Sequence, residues 1–130
     1  KIDGRVVSNL IVQALKNNPI TIYGKGDHSR SFCYVSDLVD GIYKLLTLTK
    51  PIQSPINLGN PNEFSIFELS RLILEITGSS SEIIYKSLPD DDPRQRRPDI
   101  SKAKEILGWH PKIQLREGLE MTVNYFKSVI

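Results

Sequence analysis

The sequence is poor in the residues that carry most protein chemistry. It has one cysteine, Cys33, so no internal disulfide can form, and only two histidines, His28 and His110. With one thiol and no histidine pair at ligand spacing, a structural zinc site is excluded. No apolar run approaches the roughly 18–20 residues that a bilayer-spanning helix requires. Neither sign of charge dominates: 17 Lys and Arg against 15 Asp and Glu leave +2, too little to indicate nucleic acid or an anionic lipid surface. Several catalytic signatures are missing too. There is no Gly-rich dinucleotide turn after a strand, no Walker loop, no G-x-S-x-G elbow and no H-E-x-x-H. The opening Lys1-Ile2-Asp3-Gly4 has neither an initiator methionine nor a signal-peptide run, and reads as a chain entered partway.

What is present is ordinary globular material: 130 residues, 39% hydrophobic and 25% charged, enough for one domain with a modest core. Val7, Leu10, Ile11, Ala14 and Leu15 recur at helical spacing, and Asn17-Asn18-Pro19 supplies a stop. Ile20-Thr21-Ile22-Tyr23 reads as a β-branched strand closed by Gly24-Lys25-Gly26-Asp27. Ser31–Val35 reads as a second strand, paired with the first as a hairpin with a long loop. Ser36 or Asp37 caps a helix through Leu38, Val39, Ile42, Tyr43, Leu45 and Leu46.

Ile56–Gly59 is predicted as a short strand. Ser65 and Glu68 match a capping box, opening a helix through Ile66, Leu69, Leu72, Ile73 and Ile76 that Gly78 ends. Ile83-Ile84-Tyr85 is a further strand. Residues 89–98 combine three prolines with dense charge and fit no regular core element. Asp99 caps a short helix ended by Gly108. Leu115, Leu119, Val123, Phe126 and Ile130 mark a last amphipathic helix. Strand and helix patterns alternate throughout, which implies an α/β or α+β class.

The residues with chemical potential are arginines. Arg30 follows the glycine turn, and Arg94, Arg96 and Arg97 lie in the irregular 89–99 segment. A guanidinium offers five donors in a rigid fork suited to phosphate, so two arginines from separate loops can clamp a diphosphate. The competing reading pairs them with Asp90–Asp92 on a solvated surface. Tyr23, beside the glycine turn, either stacks on a base or sugar or is a half-buried strand tyrosine. His28, His110 and Cys33 read as solvent-facing or structural.

Beyond these patterns the sequence carries a resemblance. Asp3-Gly4-Arg5-Val6-Val7-Ser8-Asn9 and Thr21-Ile22-Tyr23-Gly24-x-Gly26-x-x-x-Arg30-Ser31-Phe32-x-Tyr34-Val35-x-Asp37-Leu38 resemble the C-terminal half of extended short-chain dehydrogenase/reductases acting on nucleotide sugars. Asn57-Leu58-Gly59-Asn60-Pro61, Asp91-Asp92-Pro93-x-x-Arg96-Arg97-Pro98-Asp99-Ile100-Ser101-Lys102-Ala103 and Leu107-Gly108-Trp109-x-Pro111 look like the UDP-glucuronate decarboxylases within that superfamily. The resemblance covers nearly all of residues 3–130. The Arg30 pattern is shared with epimerases and 4,6-dehydratases.

The resemblance implies an α/β fold that is the substrate-binding part of the extended enzyme, without its main Rossmann domain. It implies a UDP-sugar at Tyr23, Arg30 and Arg96, with Arg96 also matching an arginine proposed as the acid in decarboxylation by a related bifunctional enzyme, and Arg5 near bound NAD. Tyr34 and Asp37 are expected to pack and to cap a helix, and Trp109 and Pro111 to form a structural turn. The implied chemistry oxidises C4, loses carbon dioxide from the resulting β-keto acid, and returns hydride to C4 to give UDP-xylose. The complete enzymes are commonly dimeric through the cofactor half. The Gly-rich turn and the Tyr-x-x-x-Lys pair of the family are absent here and are expected upstream of Lys1, so these residues alone are expected to be inactive. A non-catalytic UDP-sugar-binding module is the reading from another class. The segment Ile56–Asn60 is expected to return to the cofactor domain, leaving an apolar face on the helix Ile66–Ile76 exposed.

Overall fold

The computed structural model describes residues 5–88 and 94–130. Five helices and five short strands follow the alternation read from the sequence. Helix α1 spans Val6–Leu15 and buries Leu10, Ile11 and Ala14 along one stripe. Asn17 ends it in the left-handed region, at φ 54°, a conformation asparagine tolerates better than most residues. Its Oδ1 then accepts hydrogen bonds from the Ser80 backbone N–H at 3.2 Å and from the hydroxyls of Ser79 and Ser80.

Strand β1 (Ile20–Tyr23) does not form the expected hairpin. It pairs in parallel with β4 (Ile83–Lys86), in the register Ile20 with Ile83 through Tyr23 with Lys86. The second strand is also shifted. It is β2, Ser29–Ser31, not 31–35, because Phe32 to Tyr34 already lead into the next helix. Strand β2 pairs antiparallel with β3 (Glu63–Ser65) and parallel with β5 (Gln95–Arg96). The chain can swing from β1 into this second sheet because Gly24 and Gly26 both have positive φ. At Gly26 a Cβ would stand 3.1 Å from Phe67 Cβ and 3.2 Å from Ile22 Cγ2, so a side chain there would force the turn off its neighbours.

Helix α2 covers Val35–Leu46, with Tyr34 at its N-cap position and no side chain capping it. Neither Ser36 nor Asp37 caps it, since both lie inside the first turn. Ile56–Gly59 is not a strand, although Leu58 packs into a core. The capping box is as read: Ser65 Oγ accepts from the Glu68 N–H at 3.0 Å, and the Glu68 carboxylate accepts from the Ser65 N–H. Helix α3 (Ile66–Thr77) ends at Gly78 and α4 (Ser101–Leu107) at Gly108, both glycines left-handed. Ile100 holds the N-cap position of α4. Asp99 serves the same start from one residue earlier, its Oδ1 accepting from the Ser101 N–H at 2.9 Å.

Helices α1, α3 and α5 (Leu115–Val129) enclose β1 in the main core of Leu10, Ile11, Ala14, Ile20, Ile22, Leu69, Ile73, Leu119 and Val123. Each Leu, Ile and Val side chain among these contributes about 1.5–3 kcal/mol on burial. A second core of Ile100, Ala103 and Trp109 lies beneath α2 and α4, with Cys33, Ile56, Leu58 and Leu107 against it. The expected exposed face on Ile66–Ile76 is not found, because α3 sits between α1 and α5 with Leu69, Ser70 and Ile73 buried. The apolar stripe left in water lies on α2 instead. Val35, Val39, Ile42, Tyr43 and Leu46 are exposed, Leu46 to 79%. Among the described residues no helix is long and apolar enough to cross a membrane, and no group of three His, Cys, Asp or Glu is placed to hold a metal ion.

Candidate functional site

A cleft of about 1340 Å³ opens between the two sheets and the first helix. Tyr23, the last residue of β1, is on its wall, together with Arg30 from β2 and Arg96 from β5. These are the three residues singled out for substrate, and the structure brings them together. The arginines are joined by backbone pairing: in the parallel ladder Arg30 is the register partner of Arg96. Neighbouring strands run about 4.8 Å apart and register partners project from the same face, so two guanidinium stems leave the sheet side by side. Two like charges directly opposite one another destabilise a sheet unless something anionic lies between them.

The surroundings hold the pair in place. The Ser29 N–H donates to Arg94 O at 3.0 Å, and Ser31 Oγ to Arg96 O at 3.4 Å. Gln95 donates its side-chain amide to Glu63 on β3, tying the three strands laterally. Arg30 Nη1 donates to the Ser29 carbonyl at 2.7 Å, which fixes one end of its fork. Among the described residues Arg94 pairs with Asp27, its Nη2 3.4 Å from Asp27 Oδ2. Arg96 and Arg97 form no ion pair with a described residue. Asp90–Asp92 lie outside the described residues.

The rest of the lining, Arg97 apart, was not visible as a site. Arg97 and Lys86 add two more cations, His28 is on the wall rather than in open solvent, and no carboxylate is among the described lining residues. A concave surface lined by several cations raises the local concentration of anionic ligands. Asn9, Gln13, Thr21 and Asn60 supply neutral hydrogen-bonding groups. Gln13 is partly committed, its Oε1 accepting from the Thr21 N–H at 3.1 Å. Ser31, Phe32 and Asn60 belong to the strings that carry the resemblance, whereas nothing in the sequence marks Lys86. It enters only because β4 pairs with β1 across the 59 residues between them.

Arg5 is placed differently from the other three. It is exposed at the start of α1, one residue before Val6, which lines the cleft, and is not itself a lining residue. Cys33 is half-buried on the wall, and burial together with the nearby Asp37 carboxylate pushes its thiol pKa up. It therefore stays protonated near neutrality and is no nucleophile. Tyr34 packs against Gly118 on α5. Asp37 is buried and binds the far loop: its Oδ2 accepts from the N–H groups of Lys112 and Ile113, at 3.0 and 2.9 Å.

Comparison with known proteins places the chain in a family. The sequence pattern of the GDP-mannose 4,6 dehydratase family matches residues 1–122. The chain is 51% identical over 126 residues to UDP-glucuronic acid decarboxylase 1 of Xenopus tropicalis, covering 97% of this chain and 30% of that protein. It is 51% identical over 125 residues to UDP-glucuronic acid decarboxylase 3 of Arabidopsis thaliana, covering 96% and 36%. It thus spans about a third of the length of the curated relatives it matches. Among solved structures, the UDP-glucuronic acid 4-epimerase of Bacillus cereus, in complex with UDP-glucuronic acid and NAD, superposes with a TM-score of 0.92 at 31% identity, over 98% of this chain and 41% of the epimerase. The α/β fold is that of the extended short-chain dehydrogenase/reductase epimerases, and the chain belongs to the GDP-mannose 4,6 dehydratase family within them.

Proposed function

We propose that these residues are the nucleotide-sugar-binding part of an NAD-dependent UDP-glucuronate decarboxylase, a lyase that makes UDP-xylose. The observation that supports the reading is the register pairing of Arg30 with Arg96 on a cleft whose described lining residues include no carboxylate, two guanidinium groups suited to a diphosphate. The 51% identity to named UDP-glucuronic acid decarboxylases favours this member of the superfamily over the epimerases, whose structure agrees at 31% identity.

In this reading Arg30 and Arg96 grip the diphosphate, and Tyr23 lies along the nucleoside. Arg96 has a second role as the fixed cation nearest the sugar. A guanidinium stays protonated at any working pH, so it stabilises charge passing from carboxylate to enolate rather than giving up a proton. Carbon dioxide leaves from C5, and one proton takes its place there. NAD, when bound, supplies hydride acceptance at C4 and returns that hydride once carbon dioxide has left. Arg5 is the candidate for contact with it in this reading. There is no Gly-rich turn to hold the pyrophosphate and no Tyr-x-x-x-Lys pair to deprotonate the C4 hydroxyl. Both belong, in this reading, to a cofactor half that also pairs two copies of the enzyme.

The test supplies UDP-glucuronate and NAD to the full-length polypeptide that carries these residues. Carbon dioxide release with formation of UDP-xylose is the expected result, and the 130 residues alone yield none. Conversion to UDP-galacturonate without carbon dioxide release would make the protein a 4-epimerase. Binding of UDP-glucuronate without turnover of any kind would make it the non-catalytic module.

A further inference from the structure

Lys86 has no role in the account so far, yet it occupies a defined position. It is the last residue of β4, and Tyr23 is the last residue of its parallel partner β1; the two are register partners. Both line the cleft and both are exposed. In parallel α/β sheets, ligands bind beyond the carboxyl ends of the strands, which is where these two side chains stand. The arginine pair belongs to the other sheet. With the diphosphate at Arg30 and Arg96 and the nucleoside along Tyr23, as proposed above, Lys86 stands beside Tyr23 at the nucleoside end of the ligand. The ammonium has no ion pair or side-chain hydrogen bond with a described residue. It carries three donors and no acceptor, so on a base it suits an acceptor atom, and uracil offers carbonyl oxygens where adenine offers only ring nitrogens.

We propose that Lys86 is a specificity-determining residue that donates to a carbonyl of the nucleobase and so favours a uracil diphosphate over a base without a carbonyl. The inference rests on the diphosphate reading of the cleft, and the test separates the two. Calorimetric titrations of the full-length polypeptide with UDP, ADP and inorganic pyrophosphate are compared for the unaltered protein, Lys86→Met and Arg96→Ala. Lys86→Met keeps the aliphatic stem and removes only the ammonium.

The expected result for Lys86→Met is a loss of about tenfold in UDP affinity, the scale of one charged hydrogen bond, with affinity for ADP and pyrophosphate unchanged. The preference for UDP over ADP falls by the same factor. Arg96→Ala weakens all three ligands together and leaves that preference intact. Equal losses for UDP and pyrophosphate in Lys86→Met would make Lys86 a general attractor of anions and overturn the proposal. Unchanged UDP affinity would overturn it as well. Failure of the unaltered protein to bind either nucleotide would instead remove the diphosphate reading on which it stands.

Discussion

Asp37 and Trp109 are 72 residues apart in sequence and joined at one point in the fold. The indole N–H of Trp109 donates to the Asp37 carbonyl at 2.9 Å, while the Asp37 carboxylate accepts from the Lys112 and Ile113 N–H groups. The buried tryptophan thus has its one polar atom satisfied, and the loop that leads into α5 is held against the first turn of α2. The aspartate that the sequence offers as a helix cap is instead a tether between distant segments.

Asp37→Ala is expected to destabilise the chain by about 2–4 kcal/mol, because two partly buried N–H donors lose their acceptor at about 1–3 kcal/mol each. Asp37→Asn, which retains one acceptor oxygen, should cost roughly half as much. Denaturant unfolding of both variants measures this. Loss of under 0.5 kcal/mol in Asp37→Ala would mean that water replaces the carboxylate and that the tether is dispensable.

The raised thiol of Cys33 gives a pH prediction. Burial is the larger cause and the Asp37 charge the smaller, and both favour the neutral form in the folded state. The stability tied to that preference is fully present below the pKa of the unfolded thiol and is lost as pH rises through the higher folded value. Thiolate absorbance in the ultraviolet should therefore appear at higher pH in the folded protein than in urea. Coincident titration curves would contradict the burial of this side chain.

The stripe on α2 predicts how the isolated 130 residues behave. Val39 and Leu46 are 58% and 79% exposed on a face shared with Val35, Ile42 and Tyr43, a contiguous apolar surface of the kind that drives association. Sedimentation should show self-association that rises with concentration. Val39→Lys combined with Leu46→Glu should abolish it while changing stability by no more than about 0.5 kcal/mol, as exposed substitutions do. A strictly monomeric unaltered chain would show that this face does not seek a partner.

How much of this was legible beforehand follows from the range of each signal. The capping box at Ser65 and Glu68, the left-handed stops at Gly78 and Gly108, and the apolar faces of α1, α3 and α5 are set by residues within a turn or two of one another, and all were readable. Sheet pairing is not local. Ile20–Tyr23 and Ser31–Val35 carry no mark of which strand each will meet, and the expected hairpin gave way to partners more than 30 residues away. The site divides in the same way. Tyr23, Arg30 and Arg96 stood out as candidates from their chemistry and the resemblance gave them roles, but nothing short of the fold reveals that Arg30 and Arg96 share a register. Lys86 and His28 appear only once the two sheets face one cleft.

The central claim is that Arg30 and Arg96 together grip a diphosphate, and titration calorimetry on the full-length polypeptide tests it most directly. UDP and UDP-glucuronate should bind and UMP should bind far more weakly. Arg30→Ala and Arg96→Ala should each lose about 1.5–3 kcal/mol of UDP affinity, the range for hydrogen bonds to a charged group. Equal affinity for UDP and UMP, or undiminished UDP binding in both variants, would contradict the account.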